Sequence, residues 1–163
     1  MKKIILSLAS IFLLTGCTQA TQEQIAMFDG VRPLSEISVK IQVHAVDEDT
    51  FGIQLVNVTD TVEVYGMNLL LELPEGIEVT DVNLNSALKD KGWLFVKNLE
   101  KLPVRVTSVG TEKITTDMDV MTVDVKGKST ENINAYVSVI EHETSYGDVF
   151  PFSFNKISSE SNQ

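Results

Sequence analysis

Apolar residues recur at every second position through most of this chain, and that period of two constrains its fold more than any other feature. Ile37, Val39, Ile41 and Val43 alternate with Ser38, Lys40, Gln42 and His44. Phe51, Ile53 and Leu55 do the same. Further strand-like runs are 62–73, 77–82, 93–96, 104–109, 120–125, 133–140 and 149–154, which makes nine, and of these 93–96 is apolar at every position. Val, Ile and Thr dominate them, and such side chains suit a pleated, half-buried surface. The runs are broken by turn formers: Asp47-Glu48-Asp49, Thr59-Asp60, Pro74-Glu75-Gly76, Lys126-Gly127-Lys128 and Tyr146-Gly147-Asp148. One stretch inside the domain, Asn85 to Lys91, suits a helix, of about two turns at most. Nine short strands in a chain of this size are expected to close as an all-β, antiparallel β-sandwich of the jelly-roll type.

The longest run, Val62 to Leu73, separates into two faces. Tyr65, Met67, Leu69, Leu71 and Leu73 share one, which is uniformly large and apolar and is expected to face the core. Gly66, Asn68, Leu70 and Glu72 share the other. An apolar Leu70 rimmed by Asn68 and Glu72 has the anatomy of an interface, so these three residues form the candidate binding face.

The N-terminus carries an address. Lys2 and Lys3 precede an apolar run of eleven residues, Ile4 to Leu14. A membrane span needs roughly 20 residues, so the run fits the h-region of a secretory signal. It ends Leu14-Thr15-Gly16-Cys17, and this resembles the bacterial lipobox. The resemblance implies cleavage before Cys17, a diacylglycerol on its sulfur and acylation of the new amine. Each buried CH₂ contributes about 0.8 kcal/mol, so two or three acyl chains hold a protein stably on a membrane. Loss of Lys2 and Lys3 takes the net charge from -10 to -12. That acidity keeps the folded body off an anionic surface beyond a Debye length of about 8 Å. Thr18, where inner-membrane lipoproteins commonly carry aspartate, implies the outer membrane in a Gram-negative source.

With 163 residues the chain has room for one domain and its tails. The expected divisions are a signal peptide at 1–16, a lipidated N-terminus and tether at 17–36, the sandwich at 37–157 and a polar tail at 158–163. Residues 22–28 could form one helical turn within the tether.

The order of the strands resembles that of cohesin domains and their carbohydrate-binding relatives. The residues that carry the likeness are Gly66-Met67-Asn68-Leu69-Leu70-Leu71-Glu72-Leu73 running through Pro74-Glu75-Gly76 into Ile77-Glu78-Val79, then Trp93, Val104 to Gly110, and Val120 to Lys128. It spans roughly 37–154 and implies a cohesin-like jelly roll whose function is to hold another protein. Two features depart from that pattern. Leu73-Pro74-Glu75 stands where the family has a Tyr-Asp-Pro-like turn, and the strands lack the paired polar residues with which cohesins grip a dockerin helix.

Little else carries chemistry. With 13 Lys and Arg against 23 Asp and Glu, the chain lacks the basic face that nucleic acid demands. Its single cysteine leaves no intrachain disulfide or zinc knuckle. His44 and His142 have no nucleophile motif near them and are expected as solvated side chains, so no catalytic residue, metal site or cofactor is expected. Asp47-Glu48-Asp49 and Asp117 with Asp119 lack the spacing of an EF-hand loop. Trp93 could stack on a sugar ring, but its apolar neighbours favour a place in the core. The expected protein is therefore a non-catalytic lipoprotein of the cell envelope, held by lipid on Cys17, that binds a protein partner; a carbohydrate-binding module recognising polysaccharide and a structural part of an envelope assembly are the alternatives.

Overall fold

The structure is a computed structural model that describes residues 30–59 and 61–153. Cys17 and the expected signal peptide at 1–16, helical turn at 22–28 and tail at 158–163 lie outside the described residues. Ten strands follow in order: β1 (Arg32–Pro33), β2 (Lys40–Ala45), β3 (Thr50–Val56), β4 (Val64–Glu72), β5 (Ile77–Leu84), β6 (Leu94–Asn98), β7 (Val104–Ile114), β8 (Met118–Gly127), β9 (Ile133–Glu141) and β10 (Thr144–Phe152). One helix, α1 (Ser86–Asp90), joins β5 to β6. The strands form two sheets, ordered β1-β10-β9-β4-β7-β6 and β2-β3-β8-β5. Every pairing is antiparallel except that of β1 with β10. This is the all-β sandwich that the period of two implied.

The core lies between the sheets. Phe51, Ile53 and Leu55 of β3 and Val120, Met121, Val123 and Val125 of β8 come from one sheet. Met67, Leu69 and Leu71 of β4, Val106 of β7 and Val137 and Val139 of β9 come from the other. Apart from the adjacent Val120 and Met121 at a register shift, these residues alternate along their strands with side chains of the outer faces, and full burial of one such aliphatic side chain contributes about 1.5–3 kcal/mol.

Three local features differ from the sequence reading. β1 and the short 3-10 turn Leu34–Glu36 fall in the stretch expected as tether, yet Arg32 pairs with Tyr146 in register and Leu34 joins the core. Tyr146-Gly147-Asp148, expected as a turn, runs through the middle of β10; the chain reverses at His142 and Glu143 instead, where His142 takes a φ of 52°. Gly147 can sit in that strand because its missing β-carbon admits the neighbouring β9 backbone at Val137 and the side chain of Ser138. Finally, the pairing of β4 shifts between Val64 and Gly66, so Val64 and not Tyr65 enters the core. An extra residue in one strand turns the side chains beyond it to the opposite face.

The helix is built from its cap. The Asn85 side chain accepts the Ala87 N–H at 2.9 Å and donates through Nδ2 to the Asp119 carbonyl at 2.8 Å. One residue thus satisfies a free helix donor and ties α1 to β8. Leu88 is buried beneath it, and Trp93 follows at Gly92 with only 5% of its surface exposed. Its indole Nε1 donates to the Glu112 carbonyl at 3.1 Å, so the tryptophan belongs to the core as its apolar neighbours implied.

Candidate interaction face

The outer face of the six-stranded sheet collects the residues singled out on β4. Residues opposite one another in an antiparallel pair share a face, so the register defines three rows across the middle of the sheet. Leu94, Val109, Gly66 and Ile140 make the first; Val96, Thr107, Asn68 and Ser138 the second; Asn98, Arg105, Leu70 and Tyr136 the third.

Asn68 is half-buried at the centre. Thr107 Oγ1 donates to its Oδ1 at 2.9 Å, and its Nδ2 donates to Ser138 Oγ at 3.4 Å. The amide therefore bridges β7 and β9 and holds the middle of the face at fixed register. Glu72 is half-buried at one end, where its Oε2 accepts the Tyr136 hydroxyl at 2.9 Å. Burial, reinforced by this carboxylate, raises the Tyr136 pKa to about 12. Leu70 belongs to the same face and lies outside the core cluster, but none of its surface is exposed. In register it stands between Arg105 and Tyr136, which are long enough to reach over it.

The apolar surface that this face does offer comes from other strands. Leu94 and Val96 of β6 are each 68% exposed, Val149 of β10 is 42% exposed and Val109 of β7 is 38% exposed. Leu94 and Val96 carry no signal of exposure in the sequence, because Trp93 to Val96 is apolar at every position and has no alternation to mark inside from outside. In a monomer isolated apolar side chains at the surface are ordinary, but a group of them on one sheet face is a feature of docking surfaces.

Both histidines lie beside carboxylates, His142 as the exposed side chain expected and His44 half-buried. His142 Nε2 lies 2.7 Å from Glu63 Oε2, and Lys113 Nζ lies 3.0 Å from Glu63 Oε1. The hydrogen bond from Lys113 lowers the Glu63 pKa; desolvation opposes it, and the charges of Lys113 and His142 and the Tyr65 hydroxyl add to the lowering. His44 Nε2 sits 3.4 Å from Asp119 Oδ1 on the outer face of the other sheet, and its ring covers Gly52. Neither histidine adjoins a nucleophile arranged for catalysis. Asp47 Oδ1 accepts the Asp49 N–H at 3.0 Å, and Asp117 Oδ1 accepts the Val58 N–H at 2.8 Å, so these acids shape their loops. Among the described residues no three His, Cys, Asp or Glu side chains converge to hold a metal ion.

Comparison with solved structures supplies the fold's relatives. A non-cellulosomal cohesin from the hyperthermophilic archaeon Archaeoglobus fulgidus superposes with a TM-score of 0.51 at 16% identity, over 78% of this chain and all of that one. The fold is cohesin-like. A type I cohesin–dockerin complex from Clostridium thermocellum gives a TM-score of 0.47 at 14% identity, over 68% of this chain and 97% of that one. A type I cohesin from Pseudobacteroides cellulosolvens gives 0.47 at 12% identity, over 71% of this chain and 90% of that one. No protein-family model matches the sequence, and no curated protein matches it.

Proposed function

We propose that this protein is a lipid-anchored, non-catalytic component of the cell envelope whose cohesin-like sandwich holds a protein partner on the outer face of the six-stranded sheet. The observation that carries the reading is that face itself. Asn68 fixes its centre by hydrogen bonds to both neighbouring strands, and Leu94, Val96, Val109 and Val149 leave apolar surface exposed around it. A rigid sheet with apolar groups beside a satisfied polar network is suited to protein docking, because little side-chain freedom is lost on binding. Leu14-Thr15-Gly16-Cys17 supplies the anchor, and the net charge of -12 left after cleavage before Cys17 keeps the domain off anionic headgroups. Polysaccharide recognition has less support: Trp93 and Tyr146 are buried and offer no stacking platform.

The test is capture from solubilised membranes by the lipidated protein. Val149→Asp changes an exposed position of the face on β10, outside the core cluster and away from β6. The variant is expected to fold with an unchanged circular dichroism spectrum and to lose the partner that the wild type retains. Equal capture by both proteins would remove this face from the function.

A further inference from the structure

Four strands end the two sheets among the described residues: β1 and β6 in one, β2 and β5 in the other. An edge strand presents unpaired N–H and C=O groups, and folded proteins protect such edges with short length, proline, bulges or polar side chains. β1 has two residues and contains Pro33. β5 is interrupted by a register shift between Val79 and Asp81, and Lys97 Nζ donates to its Val82 carbonyl at 3.1 Å. β2 presents Gln42 and His44 outward, in register with Gln54 and Gly52 of β3. β6 has neither proline nor a bulge. Its register with β7 is unbroken from Leu94 opposite Val109 to Asn98 opposite Arg105, it contains no proline or acid, and two of its side chains, Leu94 and Val96, are each 68% exposed. Its one charged group, Lys97, is turned aside to Asp81 of β5.

The charge around this edge is opposite in sign to that of the molecule. Residues 89–105 contain five Lys and Arg and two Asp and Glu; Lys91 faces Glu112 at 3.9 Å and Lys97 pairs with Asp81, so the group carries a net +1 in a chain of net -10. Lys91 and Lys101 flank the two ends of β6 in sequence. A second copy would bring one positive edge against another, so self-pairing is opposed. An acidic segment is attracted, and its approach is steered by the same field.

We propose that β6 is a strand-addition edge that receives an extended, acidic segment of a partner protein, extending the six-stranded sheet beyond Leu94–Asn98. Main-chain hydrogen bonds to the edge supply the affinity. Apolar side chains of the segment continue the Leu94 and Val96 surface, and its carboxylates meet the basic flanks. This rests on the reading that the domain binds protein, and adds the site, the mode and the chemistry of the partner.

The experiment uses the full lipidated protein in detergent, labelled for amide hydrogen exchange by nuclear magnetic resonance. Three octapeptides serve as probes. One alternates valine with glutamate and aspartate, the second has lysine for each carboxylate, and the third is the acidic peptide with every backbone nitrogen methylated. The acidic peptide is expected to slow exchange within 94–98, and both controls are expected to bind at least tenfold more weakly. Lys91→Glu with Lys101→Glu is expected to weaken the acidic peptide by a similar factor while leaving the spectrum of the free protein folded. Absence of protection in 94–98 at millimolar acidic peptide overturns the proposal, as does undiminished binding of either control. If strand addition fails while Val149→Asp still abolishes capture, the docking face stands without it. If the peptide protects β6 while that variant captures its partner normally, the edge stands and the face falls.

Discussion

The indole of Trp93 packs so closely on Gly110 that a β-carbon at that position would collide with the ring. Gly110 lies in β7, and two residues further along the same strand the Glu112 carbonyl accepts the indole N–H at 3.1 Å. The glycine makes room for the ring and the carbonyl fixes its direction. Together they pin the entry of β6 against β7, and so place Leu94 and Val96 on the outer face.

Gly110→Ala is therefore expected to destabilise the domain by about 1–3 kcal/mol, the usual cost of forcing extra volume into a packed site. Urea unfolding followed by Trp93 fluorescence measures it. An unchanged midpoint would mean that the ring is not held against the strand.

Leu70 gives a test of burial on the outer face. None of its surface is exposed, so Leu70→Ala is expected to cost about 2–5 kcal/mol, comparable with Leu69→Ala in the core. An exposed leucine would lose less than about 0.5 kcal/mol. A loss that small in denaturant titration would show that Arg105 and Tyr136 do not close over it.

The anchor is tested at Cys17. Cys17→Ser is expected to prevent lipid attachment and to leave uncleaved precursor or released protein. Membrane fractionation and mass spectrometry read the outcome. Correctly processed, detergent-dependent protein carrying serine would refute the lipobox assignment.

Tyr136 should ionise near pH 12, above the ordinary tyrosine value, because burial and then Glu72 oppose the phenolate. The folded chain therefore keeps this proton where the unfolded chain has lost it. The contribution to stability is complete below the unfolded value of about 10 and is lost as pH rises from there through about 12. Glu72→Gln removes the carboxylate charge and is expected to lower the Tyr136 pKa while leaving it above the ordinary value, since burial remains. Ultraviolet titration of tyrosinate resolves the shift, and identical curves for the two proteins would separate Tyr136 from Glu72.

The sandwich was legible along the chain because a strand repeats every two residues. Ile53, Leu55, Met67, Leu69 and Leu71 announce their common burial through spacing alone, and the resemblance to a lipobox is equally local, four consecutive residues ending at Cys17. Which residues the outer face offers was decided by tertiary structure, because the neighbours that cover or expose a side chain come from strands distant in sequence. Leu70 and Leu94 have the same side chain and both lie on the outer face of one sheet. Leu70 stands between Arg105 and Tyr136 and is covered, whereas Leu94 ends its row and is exposed. Alternation could not separate them, because Trp93 to Val96 is apolar throughout. Tyr65 likewise fits the apolar alternation of β4, and the register shift at Val64 and Gly66 gives its core place to Val64. Arg32 and Pro33 carry no strand signal; they become β1 because β10 offers a free edge beside them. Periodicity specifies which side chains travel together, and strand pairing specifies what they meet.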